Sequence, residues 1–569
     1  MMRGTEQVTG DYSAQTLIPG ISKTTLRQSF SANYAKTLQA SLAYNNVFNG
    51  DHSVGALALY EFYQGNGNGF AAGASNFPID VIHEINYGSK AEADIISSTG
   101  SSNPEIARAG VVVKLNYSYK EKYLIEAASR WDASANFAKN NRWKIFPGAG
   151  LGWVISKENF FEDVSTINFL KLKTSFGKTG NDRAQVGSFP YMATFVQNTS
   201  PVVVIDGKPV AAIYSSNIPN PDLKWEESTM FNVGFESRFL ENFSFDFDWF
   251  YRKTTGILKG VSNLYPSSIG GYFPSLVNSG EVDNRGFDAQ LKYNKLFGKF
   301  RLGVTGNLNW SRNKVLKDDV ADGTPSSLST IGRPIGGKTG YVADGFIETW
   351  EEAQNTSSPS SGVIAPGFFR FKDLNGDGRI TANGDRMYIG RSNIPELMFG
   401  LNIDMAYKCF DFSALLQGAA LADVSLAGAY EGAANISGIH DNTVWTKTFY
   451  GNGNSPYFIV ENAWRPDNLD AEFPRLTANK VGLSPHNANG NSGWIRKGDY
   501  LRLKSIQLGY TIPVKIMTKA RISNLRLFFT GSNLFTWDHL KFIDPEMPNV
   551  NLGFYPQQRI YAFGASVTF

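Results

Sequence analysis

Residues 242–252 read Asn242-Phe-Ser-Phe-Asp-Phe-Asp-Trp-Phe-Tyr-Arg252. Side chains alternate across a β-strand, so Phe243, Phe245, Phe247, Trp249 and Tyr251 fall on one face. Ser244, Asp246, Asp248 and Arg252 fall on the other, with Phe250 the exception. The same period returns in Val111, Val113, Leu115, Tyr117 and Tyr119, set against Lys114, Asn116, Ser118 and Lys120. It returns once more in Phe300, Leu302, Val304, Leu308 and Trp310, set against Arg301, Thr305, Asn307 and Asn309.

Alternation by itself describes any half-buried antiparallel sheet, including that of a soluble glycan-binding protein. Three features select lipid as the cover. Many runs last about 10 residues or more, the length of a tilted membrane-spanning strand, against about 5–6 for a soluble one. Aromatic residues gather at the ends of the apolar rows (Tyr117, Tyr119, Trp249, Tyr251, Trp310), where a membrane interface would lie. Amphipathic helices that could cover so many apolar faces are nearly absent from the pattern.

Connection lengths supply the topology. Short turns are expected at 48–52 (with Asn49-Gly50), 119–121, 240–241, 297–299 and 408–409, and intermediate links at 156–167 and 511–523. Long loops are expected at about 65–106, 179–225, 256–282, 314–395, 422–497 and 535–558, the alternation of an outer-membrane barrel. The fold class expected is therefore all-β: a transmembrane antiparallel up-and-down barrel, incomplete at the N-terminus, with about 15–16 strands in this chain. Residues 38–569 form the barrel portion, and 1–37 an irregular or partial strand remnant. An even strand number closes such a barrel, so further strands and a leader are expected upstream. The last strand, Arg559 to Phe569, presents Tyr561, Phe563, Ala565, Val567 and Phe569 to lipid. Leu501 and Leu503 have one parity and Ile506, Leu508 and Tyr510 the other, which calls for a β-bulge near Lys504–Ser505.

Composition agrees. Of 569 residues 14% are aromatic, and 18% are charged, below the roughly 25% of soluble domains. Lys and Arg total 54 against 51 acids, a net charge of +3 that argues against nucleic acid as a partner. The single cysteine, Cys409, excludes an intrachain disulfide.

Several passages are more specific: Lys171-Leu-Lys-Thr-Ser-Phe-Gly-Lys-Thr-Gly-Asn-Asp182, Asn220-Pro-Asp-Leu-Lys-Trp-Glu226 and Val277-Asn-Ser-Gly-Glu-Val-Asp-Asn-Arg-Gly-Phe287. With them stand Tyr500-Leu-Arg-Leu-Lys-Ser-Ile-Gln-Leu-Gly-Tyr-Thr-Ile-Pro513, Gly531-Ser-Asn-Leu-Phe-Thr-Trp537 and the terminal Phe569. In this order they closely resemble the SusC/RagA family of TonB-dependent outer-membrane transporters. The resemblance implies a 22-stranded barrel around an N-terminal plug. It also implies a SusD-like surface lipoprotein over the outer mouth and energy delivered by TonB through the plug. The implied substrates are oligosaccharides or peptides. This sequence departs from the family in lacking a TonB box and a plug. A passive porin or adhesin barrel is the rival reading. No enzyme chemistry is implied, and no cofactor is required.

Other motifs are weighed against plainer readings. Gly332-Arg-Pro-Ile-Gly-Gly-Lys-Thr339 fits the P-loop expression, but that motif needs a buried strand before it and a helix starting at the lysine. Asp373-Leu-Asn-Gly-Asp-Gly-Arg-Ile-Thr381 matches the start of a calcium loop, with ligands expected from Asp373, Asn375, Asp377, Arg379 and, one residue late, Asp385. The plain alternative is an Asx-rich turn; calcium there would be structural. Histidines 52, 83, 440, 486 and 539 form no pair at ligand spacing. Loop aromatics (Trp350, Phe368, Phe369, Trp445, Phe449, Tyr450, Tyr457, Phe458, Trp464), with Asp441, Asn452 and Asn454 nearby, suit either sugar stacking or the packing of loops. The sequence names no substrate-binding residue.

Overall fold

The computed structural model describes residues 5–11, 25–77, 84–91, 95–182, 189–193, 195–205, 208–215, 218–260, 268, 276–321, 323–358, 364–426, 457–476, 490–513, 522–540, 543–546 and 557–569. Sixteen strands form one large sheet in which they follow one another in chain order. The eight other described strands pair off in four two-stranded sheets. By contacts the chain forms two compact units. One comprises Met1–Leu151, Ser175–Thr229 and Thr254–Gly280; the other comprises Gly152–Thr174, Met230–Lys253 and Glu281–Phe569.

In the second unit the register shows why the alternation exists. Across Val277–Phe297, Phe300–Lys317, Leu397–Tyr407 and Phe410–Ala420, Tyr293 lies opposite Val304, which lies opposite Ile403, which lies opposite Ala414. Phe287, Trp310 and Leu397 line up in the same way, so the apolar rows of neighbouring strands merge into one face. The same face continues in a neighbouring row, through Phe412, Leu508, Phe529 and Phe563. It is exposed: Leu401 38%, Leu508 49%, Phe535 57%, Phe563 83%. A soluble sheet would cover such a face; here hydrocarbon is the partner that fits. Rings meet across strands, Phe235 with Phe247, Phe247 with Phe287, and Phe287 with Trp310, each at 5.9 Å between centroids.

The opposite face is polar. Asp288 lies opposite Asn309, Gln290 opposite Asn307, and Asp404 opposite Ser413. The ring of Phe250, the sequence exception, rests over Gly286, where an added Cβ would stand 2.7 Å from it. The bulge falls where parity asks for it. Leu416 pairs with Leu503 and Leu415 with Ser505, so Lys504 is passed over and the two parities are reconciled.

The first unit repeats the scheme. Tyr60, Val111 and Trp131 align, as do Val54, Tyr117 and Ile125, while Asn116 faces Glu126 and Val112 faces Arg130. Lys114 and Glu126 form an ion pair of 3.0 Å on the polar side.

All five short turns occur. Phe48 leads to His52, Tyr119 to Tyr123, Phe239 to Phe243, Phe297 to Phe300, and Tyr407 to Phe410. Asn49 and Gly50 have φ of 51° and 74°, the double positive φ of a tight hairpin. Lys120–Glu121 and Leu240–Glu241 adopt it as well, without a residue that favours it. Aromatic pairs flank these turns: Tyr119 with Tyr123 at 6.4 Å, Phe239 with Phe243 at 5.3 Å, and Phe410 with Tyr510 at 4.7 Å. Within each unit such a pair stands where an interfacial girdle is expected.

Two expectations need correction. The region 65–106 is not one long loop, because strands His52–Ser75 and Ile95–Tyr119 run through most of it. The first long strand also begins at Thr25, upstream of residue 38. The stretch Gly65-Asn-Gly-Asn-Gly69 carries no apolar period, yet its backbone pairs with Ser31–Ala35 on one side. Backbone hydrogen bonds extend strands past the point where side chains announce them.

The main hydrophobic core lies within the long connections of the second unit. Phe369, Phe371, Ile380, Val424, Leu426, Ile459, Phe473, Trp494, Leu540 and Ile543 pack together. Ile459, Phe473 and Trp494 are completely buried.

Candidate functional site

On the polar face of the second unit, Lys173 Nζ lies 2.7 Å from Asp248 and 3.4 Å from Glu236, and Lys171 lies 3.5 Å from Glu236. Next to this network opens a cavity of about 610 Å³ lined by Asp246, Asp248, Asp288, Gln290, Asn309 and Gln417, among others. Strand alternation places these groups side by side, because each comes from the polar parity of its own strand. Met398 and Leu415 are the apolar exceptions on this wall. Carboxylates and amides in such density offer hydrogen bonds to hydroxyl-bearing ligands. They hold no nucleophile–base pair that would support catalysis.

Arg502, almost fully buried, carries a junction that sequence reasoning missed. Its guanidinium meets Asp544 at 2.7 Å, Glu546 at 3.2 Å and Thr536 Oγ1 at 2.9 Å. Lys504, the bulge residue, reaches Glu546 at 2.8 Å. The bulge thus aims a second cation at the connection following Asp538 and ties it to the strand wall. The available signal was two cations in Leu501-Arg-Leu-Lys504 and two acids in Asp544-Pro-Glu546.

The recurrent passages of the first unit meet in space. Asn278 Nδ2 donates to Lys224 O (2.8 Å) and Gly256 O (2.7 Å), and its Oδ1 accepts from Lys224 N (2.9 Å). Glu226 accepts from Leu258 N (3.0 Å) and Asn181 Nδ2 (3.0 Å). Trp225 packs on Phe137 and Phe146 and donates to Arg142 O (3.2 Å). Arg108 holds Asp182 through two hydrogen bonds of 2.7 Å. These passages brace one another, which gives a physical reason for their occurring together.

The Asp373 loop is closed by its own amides. Asp373 accepts from Gly376 N and Gly378 N, both at 2.7 Å, and Asn375 accepts from Asp377 N at 3.1 Å. Donation from Gly378 above all, assisted by Gly376 and opposed by desolvation, holds the Asp373 carboxyl below its usual range. Asp377 accepts from Arg379 N at 2.8 Å and from Asn375 Nδ2 at 3.0 Å. Asp385 is fully buried, and its two oxygens accept from Leu374 N (2.8 Å) and Thr381 N (2.6 Å). Among the described residues no three metal-ligating side chains converge on a common point.

The P-loop expression is not a phosphate cradle. Lys338 starts a strand, Lys338–Tyr341, and its Nζ donates to Arg391 O (2.7 Å) and Asp423 O (2.5 Å). Burial pushes its pKa down, with Asp423 acting the other way. Of the loop aromatics, Phe368, Phe369 and Trp464 are buried and Phe458 packs against the loop core. Trp350 and Tyr457 are exposed, and Trp350 borders a cavity of about 800 Å³ with Trp464, Arg465 and Arg475. Asp441, Trp445, Phe449, Tyr450, Asn452 and Asn454 lie outside the described residues, as do His83, His440 and His486. His52 Nδ1 is 2.8 Å from the Tyr117 hydroxyl, inside the girdle.

With the two-faced sheet and its polar wall in place, comparison with known proteins agrees on the class. The pattern of the family described as TonB dependent receptor-like, beta-barrel, matches residues 4–534, and the chain belongs to that family. TonB-dependent receptor P3 of Formosa agariphila is 28% identical over 568 residues, covering 94% of this chain and 52% of that protein. TonB-dependent receptor SusC of Bacteroides thetaiotaomicron is 29% identical over 473 residues, covering 80% and 43%. The fold matches a chain of the RagAB peptide transporter with a TM-score of 0.73 at 22% identity, over 96% of this chain and 56% of that one. The SusC/RagA resemblance read from the sequence is therefore upheld. The chain spans about half the length of the curated relatives it matches. The family places it in the outer membrane.

Proposed function

We propose that this chain forms the wall of an outer-membrane importer of oligosaccharides or peptides, energised by TonB through a plug and paired with a SusD-like surface lipoprotein. The supporting observation is the cavity of Asp246, Asp248, Asp288, Gln290, Asn309 and Gln417 on the face opposite the lipid rows. Its carboxylates and amides favour hydroxyl-rich ligands, so oligosaccharides come first. Replacing Asp246, Asp248 and Asp288 by alanine in the chromosomal gene should reduce uptake of one glycan class, with outer-membrane protein levels unchanged. Undiminished glycan and peptide uptake in a full gene deletion would contradict the reading. Uptake that persists without TonB would favour a passive porin.

Calcium at Asp373, Asn375, Asp377, the Arg379 carbonyl and Asp385 is a second proposal, favoured by their alternate oxygens and by positive φ at Gly376 and Gly378. A calcium titration that protects this loop from proteolysis supports the ion; unchanged protection in millimolar calcium leaves the amide-closed turn.

A further inference from the structure

We propose that the outward side of the strand pair Val277–Phe297 and Phe300–Lys317 binds the phosphate-bearing headgroup of an outer-leaflet lipid. The site rests on the membrane placement of the sheet and is independent of what is imported.

Height along the strand carries the first part of the case. Phe300 adjoins a short turn, and the outward row climbs through Leu302, Val304 and Leu308 to Trp310. Ten residues at about 3.3 Å each, tilted roughly 40°, rise about 25 Å, the thickness of the apolar band. The next outward positions are Arg312 and Lys314, with Arg285 directly opposite Arg312. All three cations therefore stand just beyond the hydrocarbon, at the long-loop end, where headgroups lie. Phe287 and Trp310 sit one step below them, ready to pack on acyl chains.

Charge supplies the second part. A cavity of about 640 Å³ is lined by Arg285, Arg312, Lys314, Arg333, Arg391 and Glu396. Glu396 is held by Arg312 at 2.6 Å. Nearby, Glu281 is paired with Lys253 at 2.9 Å, and Asp283, opposite Lys314 in the register, is buried. Among the described residues the side chains of Arg285, Lys314 and Arg391 make no hydrogen bond or ion pair. Arg333 lies over the Tyr388 ring at 5.3 Å and donates through Nη2 to Ser326 O, while its buried Nη1 has no partner. Guanidinium groups grip phosphate through paired donors, and basic pockets at the headgroup level recruit anionic lipid. A soluble anion would use the cations but not the apolar rows beneath them. A phosphorylated lipid uses both.

The test uses the protein extracted whole from outer membranes and placed in phosphatidylcholine nanodiscs with or without lipid A as the probe. Native mass spectrometry should find lipid A retained. The variant R285A/K314A/R391A should bind it on the order of a hundredfold more weakly, since each basic side chain adds about fivefold. Inorganic phosphate should not displace the lipid. Should the triple variant misfold, Arg285→Gln and Arg391→Gln tested singly should each lose about fivefold. Equal retention by folded variants overturns the proposal. So does displacement by inorganic phosphate, or by an acidic oligosaccharide, because the site would then serve a soluble anion.

Discussion

Phe563 and Phe473 carry the same side chain, yet one is 83% exposed on the final strand and the other fully buried in the loop core. The strand wall turns its aromatics outward in rows; the long connections gather theirs into a knot with Trp494 and Phe369 at its centre. Residue type does not separate these regions. The wall needs lipid to cover it, whereas the loop core supplies its own cover and should behave like the core of a small soluble domain.

That contrast can be broken from the loop side first. Trp494→Ala opens a cavity beside Phe369 and Phe473 and should cost roughly 3–5 kcal/mol of loop-core stability. The expected readout is rapid proteolysis of the long connections while the strands keep their resistance to heat in detergent. Arg502→Ala leaves Asp544 and Glu546 without their main partner, a loss of about 3 kcal/mol or more for a buried pair. It should release the connection after Asp538 with the loop core intact, as seen by cleavage mapping.

From the wall side, Leu401→Arg puts a charge near mid-height on the lipid face and should destabilise the folded protein by roughly 2–4 kcal/mol in bilayers. Asn402→Arg, one residue on, faces the polar side and should cost much less. Similar losses for the two would erase the distinction between the faces. The smallest expected effect is at Asp373. A folded-state pKa below the usual value means that its contribution is full above the ordinary aspartate pKa, about 4, and is lost as pH falls through the lowered value. Hydrogen exchange at Gly376 and Gly378 should therefore gain protection with rising pH across that window, beyond the intrinsic exchange rate.

Legibility followed the same division. The apolar rows, the turn at Asn49-Gly50 and the Lys504 bulge were readable, because period two and parity are local properties of the chain. The extension of strands through Gly65–Gly69 was not, since it depends on backbone pairing with distant partners. Nor was the Arg502 junction, whose acids lie more than 40 positions away. The loop aromatics were visible as residues only. Whether Trp464 or Phe369 stacks on a ligand or fills a core depends on contacts between connections far apart in the sequence, and the structure buries both.

Collision accessibility of single nitroxide labels tests the lipid cover most directly. On a Cys409→Ser background in bilayers, labels are placed in turn from Leu401 to Met405 and from Tyr561 to Ala565. Accessibility to oxygen should peak at Leu401, Ile403, Met405, Tyr561, Phe563 and Ala565. A water-soluble nickel chelate should instead favour the residues between them. Uniform accessibility along either strand, or chelate access to the apolar rows, would contradict the account.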